Sequence, residues 1–107
     1  MVIVESDKRF IQETLMPYFN VKKLTVSYVP STKKWPDIWV EPTRPVPRIT
    51  VTETWKRKSM RQRRIELVHE CLHLSGLEHG RMGRFVYHTK PELDSYSELV
   101  YEAIIRG

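Results

Sequence analysis

The stretch His69-Glu70-Cys71-Leu72-His73-Leu74-Ser75-Gly76-Leu77-Glu78-His79-Gly80 decides how this chain is read. It holds all but one of the four histidines in the 107 residues, together with the single cysteine. On a helix, residues four apart share a face and stand about 6 Å apart along the axis. His69 and His73 can therefore aim two imidazole nitrogens at one ion, at the distance of about 2.0–2.1 Å that zinc takes. Glu70 is turned about 100° from His69, which makes it a poor ligand and a good partner for water beside the ion. A catalytic zinc needs a third protein ligand and keeps its fourth position open. Gly76 lets the chain leave the helix sharply, because glycine adopts positive φ without steric cost. Leu77-Glu78-His79 then returns beneath the ion and brings His79 as the third ligand.

Upstream, the spacing predicts a helix over residues 59–75. Ser59 and Gln62 have the form of a capping box, and Gly76 sits where a left-handed C-terminal cap falls. Ile65, Val68 and Leu72 lie beside the histidine face, with Leu67, Cys71 and Leu74 opposite. A helix apolar nearly all round should be the most buried in its domain.

Further out, Ser6 or Asp7 caps an expected first helix over about residues 6–19, whose stripe is Phe10, Ile11, Thr14, Leu15 and Tyr18, with Pro17 ending or kinking it within the last turn. Residues 24–29 and 38–40 read as strands. Prolines at 42, 45 and 47 mark the connection after them as a loop or sheet edge. Residues 49–55 alternate, placing Ile49, Val51, Glu53 and Trp55 on one face and three threonines on the other, as in a half-buried strand. Residues 81–90 read as a loop with room for a short extended piece at Phe85-Val86-Tyr87. A last helix over about residues 91–105 should bury Leu93, Tyr96, Val100, Ala103 and Ile104.

The length allows one domain over residues 1–107. One cysteine excludes an internal disulfide, and a small chain often leans on a metal instead. The apolar run in residues 1–7 is too short for a signal peptide, and no later run spans a bilayer, so the expectation is a cytoplasmic protein with no membrane partner. A net charge of +5 favours anionic partners.

The central segment resembles the long zinc signature of the metzincin metallopeptidases, His-Glu-x-x-His-x-x-Gly-x-x-His, a clan that includes archaemetzincins. It also resembles the His-Gly-x-Leu-His-Leu-x-Gly-Tyr-Asp-His segment of YbeY-type RNA endonucleases through Leu72-His73-Leu74, Gly76 and His79. Position 70 separates the two, since the peptidases have the catalytic glutamate and YbeY has glycine. The order helix, small sheet, active-site helix, loop, C-terminal helix is similar to the minimal zincin core of SprT-like domains. The resemblance thus implies an α+β, minimal zincin-like domain with a mixed sheet of about three strands.

It further implies a zinc metallopeptidase with one catalytic Zn2+ on His69, His73 and His79. The ion lowers the pKa of water to about 7, and Glu70 acts as general base. A polypeptide substrate is expected as an added strand along Thr50–Trp55. Metzincins carry a methionine below the metal. The one methionine after His79 is Met82, only three residues on, so Tyr96 is the expected floor. Another zincin branch takes its third ligand from a following helix, where Glu98 stands, but the Gly76 spacing favours His79. Tyr87 and His88 are the candidate oxyanion donors. Cys71 reads as a small buried hydrophobe. The cations Lys56, Arg57, Lys58, Arg61, Arg63 and Arg64 read first as a solvated face and second as a site for an anionic partner. Competing functions are a YbeY-like metal-dependent endoribonuclease and a nucleic-acid- or protein-binding module with structural zinc.

Overall fold

Helix α4 (Met60–Leu74) forms where the capping signal stands. Ser59 Oγ accepts a hydrogen bond from the Gln62 N–H at 3.2 Å. The reciprocal half of the box is replaced, because the Gln62 amide donates to Glu66 at 2.8 Å instead. The structure, a computed structural model, describes residues 5–30, 37–41, 45–74, 77–78, 81–82 and 90–107, with the backbone alone at 77–78, 81–82 and 90–94. Every residue from Leu67 to Leu72 is buried, as expected of a helix apolar on nearly all sides.

The first helix differs from expectation in two ways. It runs unbroken through α1 (Glu5–Arg9), a π-helical segment (Phe10–Leu15) and α2 (Met16–Tyr18). Ser6 and Asp7 are therefore inside it, not caps. Asp7 is fully buried, and its carboxylate accepts a hydrogen bond from Arg63 Nε at 2.7 Å. In the π segment the Met16 N–H reaches back five residues to the Ile11 carbonyl. That wider turn shifts the phase of the downstream residues by one position. Phe10, Ile11 and Leu15 stay in the core while Tyr18, predicted to join them, is exposed. The helix ends in a Schellman motif. Val21 N–H bonds to Met16 O at 2.8 Å, Asn20 N–H bonds to Pro17 O at 3.2 Å, and Asn20 takes φ 55°.

Strands β1 (Thr25–Val29), β2 (Ile38–Glu41) and β3 (Arg48–Thr52) form a mixed sheet in the order β1-β3-β2. β3 runs parallel to β1 and antiparallel to β2. The register sets Val26, Ile49 and Val40 side by side, and Tyr28, Val51 and Ile38 beside them on the same face. All six pack in the core cluster or against it.

β3 corrects the sequence reading. Thr50 and Thr52 are as buried as Ile49 and Val51, so the strand is covered on both faces. It also stops at Thr52 instead of continuing to Trp55. Thr52 is extended, and its Oγ1 accepts from Trp55 N–H at 3.3 Å, which starts the short helix α3 (Glu53–Lys56). Trp55 still reaches the core. The substrate edge expected along Thr50–Trp55 is thereby overturned. β3 is the central strand with β1 and β2 on either side, and residues 53–55 are helical, so no open edge is left there.

Helix α5 (Lys90–Arg106) packs along α4. Its buried stripe is shifted from the expected one. Ser97 and Tyr101 are buried, with Tyr96, Val100 and Ile104 partly covered, whereas Ala103 is exposed. Between the helices, β4 (Leu77–Glu78) and β5 (Arg81–Met82) form a two-stranded antiparallel ladder where a loop was expected at 81–82. The expected fold class holds: α+β, with a small three-stranded mixed sheet and α4 between the sheet, the first helix and α5. No helix among the described residues is long and apolar enough to cross a membrane.

Candidate metal centre

The helical spacing does what elementary geometry requires of it. The ligand atoms of His69, Glu70 and His73 converge within 4.8 Å of one another on α4. His69 Nε2 and His73 Nε2 are 3.1 Å apart, with the rings edge to face at 71°. Two nitrogens at about 2.05 Å from a tetrahedral zinc stand about 3.3 Å apart. The observed 3.1 Å corresponds to an N–Zn–N angle of about 98°, within easy adjustment of that geometry. Without a cation, the same approach requires one ring to donate Nε2–H to the other.

Glu70 is placed differently. Its Oε2 lies 3.9 Å from His73 Nε2. For both atoms to ligate one zinc at about 2.05 Å, the angle between them would open to about 144°, far from tetrahedral. In this rotamer the pair stands wider than two tetrahedral ligands of one zinc. Glu70 and His69 are both buried, where a negative charge is costly unless a cation is near. Two imidazole nitrogens and an adjoining carboxylate are donors that zinc accepts, so the residues fit the ion.

Cys71 sits on the other side of α4 and is fully buried, as expected. Burial pushes its thiol up to about 12, helped by the charge of Glu70, and its sulfur is not among the donors that converge.

The other candidates fall into two groups. His79, with Gly76 before it, and Tyr87 and His88 lie outside the described residues. Glu98 is described, and it points elsewhere. Its carboxylate lies 3.3 Å from Arg61 Nη2, eight residues before His69 and so about 12 Å back along α4. It is exposed there and does not join the histidines.

The basic run is largely matched within the chain. Arg57 lies 3.9 Å from Glu53, Lys58 lies 3.1 Å from Asp37 and 3.0 Å from Glu66, and Arg61 lies 2.5 Å from Glu102. Arg63 holds Asp7, and Arg64 stacks 4.8 Å over the Phe10 ring. Of the tryptophans, Trp55 is core and Trp39 is half-buried on β2.

The Lys58–Glu66–Asp37 contact has almost no signature in the sequence. Compared with protein families, curated proteins and solved structures, the chain matches none.

Proposed function

We propose that this chain is a zinc-dependent hydrolase acting on peptide bonds, of the zincin kind. One observation carries the reading: two histidine Nε2 atoms 3.1 Å apart on a buried helix face, with the Glu70 carboxylate 3.9 Å from one of them. His69 and His73 hold the ion, and His79 is the third ligand by its spacing after Gly76. When bound, zinc supplies Lewis acidity that polarises a carbonyl and makes water acidic.

The chain's own residues handle the protons. Glu70 accepts a proton from the attacking water onto its carboxylate, and the water oxygen forms the new bond to the carbonyl carbon. Glu70 next delivers that proton to the leaving nitrogen as the carbon–nitrogen bond breaks, so the carboxylate is regenerated. Burial keeps bulk water from this proton. Tyr87 and His88 are proposed as donors to the developing oxyanion.

Peptide hydrolysis is favoured over RNA cleavage by position 70 and by the internal pairing of Arg57, Lys58, Arg61 and Arg63, which makes them less available as phosphate contacts. The test is a cleavage assay of zinc-loaded protein on a peptide library and on structured RNA. Peptide turnover that disappears with chelator and returns with Zn2+ supports the proposal. Cleavage of RNA with no peptide turnover overturns it in favour of an endoribonuclease.

A further inference from the structure

Glu66 stands three residues before His69 and four before Glu70, so it shares their face of α4. A second carboxylate on that face is a natural competitor for a cation held there. Its two oxygens are engaged otherwise. Lys58 Nζ lies 3.0 Å from both Oε1 and Oε2, and Gln62 Nε2 donates to Oε2 at 2.8 Å. Glu66 is accordingly not among the donors that converge.

The Lys58 ammonium is itself fixed from outside the helix. It lies 3.1 Å from Asp37 Oδ2, just ahead of β2. The Asp37 carbonyl accepts from Thr52 N–H at 3.0 Å and from Thr52 Oγ1 at 2.9 Å. The Lys58 carbonyl accepts from Arg63 Nη1 at 2.6 Å, and Arg63 holds the buried Asp7 of α1. Burial works against the Lys58 charge, but the hydrogen bonds to Glu66 and Asp37 outweigh it and raise its pKa. It is therefore a cation at any pH where zinc binds.

We infer that Lys58 is a positioning residue that holds the Glu66 carboxylate off the metal-binding face of α4, leaving His69 and His73 as the helix's ligands and Glu70 as its base. This rests on the reading that the face binds zinc. Once its lysine is removed, Glu66 keeps only Gln62 and is drawn towards the ion by charge.

The test compares the wild-type chain with Lys58→Met, Glu66→Gln and the double variant Lys58→Met/Glu66→Gln. Zn2+ affinity is measured by competition with a chromogenic chelator, and the visible spectrum of the Co2+-loaded protein reports coordination. Lys58→Met is expected to bind Zn2+ roughly tenfold more tightly and to weaken the Co2+ bands as a further oxygen joins the ion. Glu66→Gln alone and the double variant should both resemble wild type. Lys58→Gln, which keeps a donor without the charge, should shift the same way to a smaller extent and serves if Lys58→Met does not fold. An unchanged affinity and spectrum in the lysine variants overturns the inference, as does a change that persists in the double variant. A wild-type chain that takes up neither ion overturns the zinc reading as well.

Discussion

Replacing Glu70 with glutamine keeps the size of the side chain but removes the oxygen proposed to accept a proton. Peptide turnover in Glu70→Gln should fall by about 10²–10⁴-fold, the usual worth of a general base, while zinc content is retained. Steady-state kinetics beside metal analysis checks this, and parallel loss of metal would assign Glu70 as a ligand. Lys58 gives a pH prediction. Its folded pKa is raised, so its contribution to stability is complete below the unfolded value of 10.5 and is lost as pH rises through the folded value. Lys58→Met should flatten that alkaline loss in denaturant titrations above about pH 10. At this scale the sequence is a good guide wherever partners are local. His69, Glu70 and His73 meet because four residues make one helical turn. Lys58, Asp37 and Glu66 meet only after β2 and α4 have packed, and nothing in their spacing announces it.

Asn20 closes the first helix in the left-handed conformation, at φ 55°. Asn20→Ala should cost about 1 kcal/mol, because a Cβ without a polar tip is disfavoured there. Asn20→Gly should be neutral or stabilising. Chemical denaturation of the two variants decides, and equal stability would contradict the Schellman ending. Thr52 offers a second test, since it caps α3 and ties β3 to Asp37. Thr52→Val should lose about 1–2 kcal/mol in the same measurement. The boundary at Thr52 is hidden in the sequence because Glu53, Thr54 and Trp55 continue the alternation of the strand. A threonine followed by glutamate is also a helix start, and the hydrogen bond to Trp55 N–H decides between the two. α4 is legible because capping, periodicity and length agree over fifteen residues. The π segment leaves no such mark, and its one-residue phase shift is what moves Tyr18 out of the core.

The order of the strands is a property of the whole molecule, and alternation cannot supply it. β3 is central because β2 crosses to the far edge before the chain returns, which is a non-local pairing. The substrate edge expected along Thr50–Trp55 is absent for that reason. The proposed metal binding would likewise be felt by the whole fold. The helix that bears His69 and His73 packs against α5, the π segment and β2, so an ion that binds only the folded chain stabilises all of them. At about a hundred times its dissociation constant, zinc should add about 2.7 kcal/mol. In a domain of this size that raises Tm by roughly 10–20 °C. The central claim is most directly tested by calorimetric titration of Zn2+ into chelator-stripped protein, with His69→Ala and His73→Ala alongside. A single ion per chain, with binding lost in both variants, is the predicted result. No uptake by the wild-type chain, or uptake unchanged in the two variants, would contradict it.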